Sequence, residues 1–291
     1  MDWFYLSLIS AIFSAAAAIF QKRILFEMEA LDFSLLLSFF SMILSIPFLV
    51  NVNYGSLSVI NLAVLFLKSV LGCLAFLSVM LAIKNLEISK ALPLLALTPG
   101  FVAIFAFIFI GDALSIIQVC AIVLLLAGTY LLEARKGDKI FDPFKVFIRS
   151  RNHRYVIYAL FLFTVTSILD RLLLHRYNLP PNAFIGFQHI FFAINFYAIF
   201  LISGKNISPL IKTSTKPIWF LILVISLLTL TYRYTEILSV KLAPVALVIS
   251  VKRISVFFAV IIGGRIFKEE KLLLKATATA LIILGAILIT E

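Results

Sequence analysis

The chain has 291 residues, of which 63% are hydrophobic and only 13% charged, with a mean hydropathy of +1.14. So little polar material cannot cover a water-soluble domain, and that class is excluded. The 25 Lys and Arg against 14 Asp and Glu leave a formal charge of +11, an excess that suits the cytoplasmic loops of a membrane protein rather than nucleic acid.

A bilayer core of about 30 Å takes roughly 20 helical residues per crossing. On that measure ten spans are expected, near 3–21, 33–51, 60–83, 92–110, 115–133, 155–174, 183–203, 217–238, 243–263 and 272–289. The first begins MDWFYLSLIS, with an acid and no basic region, so it reads as a span and not as a removable signal. Cys73 and Cys120 both fall inside apolar runs and read as small core residues. The polar stretch from Glu133 to Tyr155 separates five spans from five. The expected organisation is a first repeat at 1–134, a basic linker at 135–154 and a second repeat at 155–291. The fold class is therefore an all-α polytopic membrane protein, ten transmembrane helices arranged as two inverted five-helix repeats. An odd number of spans per half forces opposite orientations, with a two-fold axis in the membrane plane. Paired segments support the duplication: AIFQKRIL at 18–25 stands beside SILDRLLL at 167–174, and 86–114 beside 237–272.

The basic residues sort by side. One set of alternate loops holds 18 of the 25, the opposite set holds Arg171, Arg176, Arg233 and Lys241, and Lys68, Lys252 and Arg253 lie inside spans. This bias places linker 135–154 in the cytoplasm and both termini outside, in a multi-pass protein of the plasma (inner) membrane.

Ser89, Ala91, Pro93 and Pro99, then Gly111-Asp112-Ala113-Leu114 and Gly128, form one pattern; Phe267-Lys268-Glu269-Glu270-Lys271-Leu272 and Gly285 form its second-half counterpart. Through these residues the whole chain resembles the EamA-like ten-helix branch of the drug/metabolite transporter superfamily. The resemblance implies a basket of ten helices, an inverted repeat and a central cavity open alternately to each side. It also implies termini inside, against the distribution of basic residues, and it leaves the substrate open.

Charges at membrane depth carry the functional expectation. An ionised side chain there costs roughly 2.5 to 3.5 kcal/mol, so it must face protein, water or a partner. Lys252 and Arg253 lie near the middle of span nine, either in a transport cavity or snorkelling from a misplaced boundary. Arg233 and Glu236 share a face at the end of span eight, as a self-neutralising pair or as cavity groups. Tyr232 and Tyr234 beside them suit an interfacial belt. Asp170 and Arg171 read first as an interfacial pair, Lys68 as either snorkelling or cavity-lining, and His189, beside Gln188, first as hydrogen-bonded packing. The candidate substrate-binding set is thus Lys252, Arg253, Arg233, Glu236, Lys68, Asp170, Arg171 and His189.

Five cations against two carboxylates in this set predict a cationic cavity and a cargo bearing phosphate or carboxylate. The leading expectation is a secondary transporter of a small anionic or zwitterionic metabolite working by alternating access. A flippase for a phosphate-bearing lipid-linked sugar is the alternative. An intramembrane enzyme is remote, since no nucleophile or aspartyl constellation is present. Span one lacks the acid of a four-helix cation exporter, and no GxxxxGK[ST] loop couples the chain to ATP. No catalytic residue, cofactor or metal site is expected; the partners are the lipid bilayer and a small molecule, for a monomer or homodimer.

Overall fold

The computed structural model describes residues 2–50, 52–98, 115–133, 145, 149–207, 215–243, 248 and 251–288. No strand occurs among the described residues. The ten helices are α1 (Trp3–Ile24), α2 (Ala30–Leu49), α3 (Val59–Asn85), α4 (Ile88–Leu95), α5 (Ile116–Glu133), α6 (Arg151–Arg171), α7 (Pro181–Ile202), α8 (Lys216–Leu242), α9 (Ile254–Phe258) and α10 (Leu272–Leu288). Helix α6 continues as a π-helical turn over Leu172–Arg176, and α9 runs through another at Ala259–Gly263 into Gly264–Ile266. Six of these helices, counting α6 with its π turn, are long and apolar enough to cross a membrane. The expected ten-helix count is met.

Boundaries shift in a consistent way. Helix α6 starts at Arg151 and α4 at Ile88, four residues before expectation in each case, because polar residues fill first turns that hydropathy alone assigns to loops. Arg151 and Arg154, counted with the linker, thus open α6. Span nine differs more: the backbone turns at Arg253 before α9 resumes at Ile254, so Lys252 and Arg253 sit at a helix break and not within a continuous helix. Pro99, the Gly111–Leu114 turn, Pro244 and linker residues 135–144 lie outside the described residues.

The most extensive pairings are α5 with α10, α1 with α8, α2 with α7, and α3 with α6; α2 with α8 and α3 with α7 follow. Exchanging each helix with the one five places along turns α1–α8 into α6–α3, and α2–α8 into α7–α3. It returns α2–α7 and α5–α10 to themselves. Two five-helix repeats produce this pattern. The α5–α10 contact is set by one glycine from each helix. A Cβ on Gly128 would lie 2.6 Å from Ile282 and 2.9 Å from the Ala278 carbonyl, and one on Gly285 would lie 2.8 Å from the Ala121 carbonyl. Small residues let the two backbones approach. Serines join α1 to α8: Ser7 Oγ lies 2.6 Å from Ser239 Oγ, and Ser10 Oγ donates to the Tyr232 carbonyl at 2.9 Å.

Around the end of α3 and the start of α4, charges are closed on backbone ends and on each other. Lys22 Nζ donates to the Ile83 and Leu86 carbonyls at 2.6 and 2.7 Å, capping the C-terminus of α3. Glu269, from the turn after α9, accepts from the Ile88 and Ser89 amides at 2.7 and 3.1 Å and from the Ser89 hydroxyl, capping the N-terminus of α4. Lys275 pairs with Glu87 at 2.8 Å, and Lys84 with Glu29 at 2.7 Å. The hydrogen bond from Lys84 holds the Glu29 carboxyl below its ordinary value.

Candidate functional site

A cavity of about 300 Å³ lies between the helices, with walls from both halves of the chain. The volume is at the lower end of small-molecule sites. Counting along α3, the wall passes from Lys68 through Gly72 and Phe76 to Met80 and Ile83. At 1.5 Å per residue this is about 22 Å of helix. One end is charged, and the rest of the wall is uncharged, mixing Phe76, Phe192 and Phe196 with polar groups such as Ser34, Ser38 and Thr98.

The charged end is a row of alternating sign drawn from four parts of the chain. Lys68 of α3 pairs with Asp170 of α6 at 2.8 Å. Asp170 also meets Arg233 of α8 at 3.6 Å, and Arg233 meets Glu236 one turn on at 2.7 Å. Glu236 meets Lys252 at 2.6 Å. Gln188 of α7 stiffens the row, since its Oε1 accepts from Lys68 at 2.6 Å and from Arg233 at 3.2 Å. Lys252 also stands over the Tyr232 ring, 5.1 Å from its centroid. Each carboxylate is thus shared between two cations, the arrangement by which ions at membrane depth are tolerated.

Arg253 differs from the rest. It lines the cavity, yet no carboxylate lies within ion-pairing distance of it among the described residues. Its Nε atom is buried without a hydrogen-bond partner. A half-buried guanidinium facing a cavity without a protein anion is a ready fork for a carboxylate or phosphate.

Seven of the eight candidate residues line the cavity: Lys68, Asp170, His189, Arg233, Glu236, Lys252 and Arg253. Arg171 does not. It is exposed, one residue past Asp170 and so about 100° around the helix, which turns it off the cavity wall. Lys68 is only 2% exposed and ion-paired, so it does not snorkel. His189 Nε2 has no hydrogen-bond partner, unlike the hydrogen-bonded packing expected, and the ring leans on Phe192. Tyr232 lines the cavity instead of forming an interfacial belt, while Tyr234 donates to Asn182 at 3.0 Å. Arg233 lies inside α8 and not in a loop, and the other three of the sparse set, Arg171, Arg176 and Lys241, fall in the last turns of α6, its π-helical extension and α8.

Sequence reasoning passed over Gln188 as a bridge and the hydroxyls of Ser34, Ser38 and Ser41, all on the wall. Their spacing of four and three was a legible signal, since it puts all three on one face of α2. Among the described residues, no cluster of three His, Cys, Asp or Glu is placed to hold a metal ion.

Comparisons with known proteins agree with this architecture. A solved structure described only as the crystal structure of a protein is similar over 96% of each chain, with 16% sequence identity and a TM-score of 0.60. That likeness concerns the fold. No curated protein matches. Residues 1–133 match the model of the EamA-like transporter family. The chain is therefore a multi-pass, ten-helix membrane protein with an EamA-like first half, consistent with the drug/metabolite transporter superfamily and with the transport of a small molecule.

Proposed function

We propose that the protein is a secondary transporter of a small anionic or zwitterionic metabolite, working by alternating access. The observation that carries this reading is Arg253, a cavity-lining guanidinium left without a counter-ion while every neighbouring charge has one. An unpaired cation on the wall costs several kcal/mol once the cavity closes and sheds its water, unless an anion accompanies it. The uncharged stretch of wall beyond the row, with its phenyl rings and hydroxyls, receives the uncharged part of the cargo. Movement follows the repeat: units 1–134 and 155–291 rock against each other about the fixed site, joined by linker 135–154. The distribution of basic residues supports a plasma (inner) membrane location with that linker in the cytoplasm.

Arg253→Gln tests the assignment in lipid vesicles. Truncating one side of a buried charge contact costs about 2 to 5 kcal/mol, so anion flux should fall by about thirtyfold or more. Thermal unfolding should stay level or improve, because no protein anion loses its partner. Unchanged flux in the double variant Lys252→Gln, Arg253→Gln would reject the site.

A further inference from the structure

The charges on the cavity wall do not cancel. Among the described lining residues, Lys68, Arg233, Lys252 and Arg253 face only Asp170 and Glu236, which leaves two positive charges in excess. One is shared along the row from Lys68 to Lys252, where three cations alternate with two carboxylates. The other is on Arg253. Neither carboxylate can swing to Arg253 without releasing a cation it already holds.

We propose that the cargo presents two net negative charges to the Lys252–Arg253 end of the cavity, as a phosphate monoester or a dicarboxylate does. This rests on the anion reading above and narrows it. While the cavity is open, water solvates the excess charge. Closing around the cargo removes that water, and each ion left uncompensated then costs several kcal/mol. A dianion brings the wall and its contents to neutrality, whereas a monoanion or a zwitterion leaves charge stranded. Valence, more than shape, then sets which cargo permits closure, and the phenyl-lined remainder of the cavity admits bodies of varied form.

Isothermal titration of the full-length protein in detergent tests this with matched pairs that differ in charge and little in size. The probes are succinate against succinamate, and glycerol 3-phosphate against its phosphate methyl ester, at about pH 8 where the monoester is fully ionised. A charge held about 4 Å from its partner in a partly buried site is worth several kcal/mol before desolvation, so the dianion of a responding pair should bind about tenfold tighter or more. Arg253→Gln lowers the wall excess to one and should narrow that gap to about threefold or less. The wild-type comparison decides the question even if this variant does not fold. Response of the phosphate pair alone or the succinate pair alone identifies the headgroup, and either supports the proposal. Equal or tighter binding of the monoanions would overturn the two-charge claim and leave the anion reading standing. Binding of neither member of either pair overturns the claim as well, and capture of a cation of similar size in their place would remove both readings.

Discussion

In the first half of the chain α3 faces the cavity with Gly72, Phe76 and Val79; in the second, α8 faces it with Thr229, Arg233 and Glu236. Both helices have 27 residues, and counted from Val59 and Lys216 these are the same three positions. The two halves therefore turn the same face inward and dress it differently. Among the described lining residues, Lys68 is the one charge from the first half, against Asp170, Arg233, Glu236, Lys252 and Arg253 from the second. The frame, by contrast, is even: Gly128 and Gly285 play matching parts in the α5–α10 contact. The two halves share packing rules and differ in the wall, where the proposed function puts selectivity.

Substitutions at matched positions separate wall from frame. Glu236→Gln has the largest expected effect on stability, since it strands Lys252 and leaves Arg233 only its longer contact with Asp170; breaking a buried pair costs about 3 to 5 kcal/mol. A marked fall in the thermal unfolding temperature in detergent is the expected result, and an unchanged one would mean the row is open to bulk water. Alanine at Gly128 or at Gly285 should cost about 1 to 3 kcal/mol, and similar amounts at the two sites, because each Cβ would press on backbone that cannot move aside. Unequal losses would break the parity of the frame. Val79→Ala, at the position matching Glu236, should cost only about 1 to 2 kcal/mol for the buried methyl groups it removes. A loss as large as that of Glu236→Gln would contradict the proposed division of labour.

Much of this was legible in the sequence. Hydropathy anticipated the ten helices, six of them long and apolar enough to cross a membrane among the described residues, and the cost of ions at membrane depth singled out Lys68, Arg233, Glu236, Lys252 and Arg253. Direction around a helix was harder to read. Arg171 and Asp170 are neighbours in sequence, and only packing decides which of them turns inward. The entry segments paired by sequence match Gln21 with Asp170 and Lys22 with Arg171. In the structure the first pair lines the cavity and the second does not, a correspondence visible only once the wall is known. Partner choice was out of reach for a related reason. That Glu236 would be shared by Arg233 and Lys252, leaving Arg253 alone, depends on distances between α8 and the break before α9, which no local pattern encodes.

The proposed function requires Arg253 to stand in the cavity without a protein counter-ion so that an anion can occupy it. Its most direct test is the thermal stability of the purified protein in detergent across a panel of small metabolites matched in size and opposite in charge. Stabilisation by the anions, lost in Arg253→Gln, is the expected result. Stabilisation by the cations alone would contradict it.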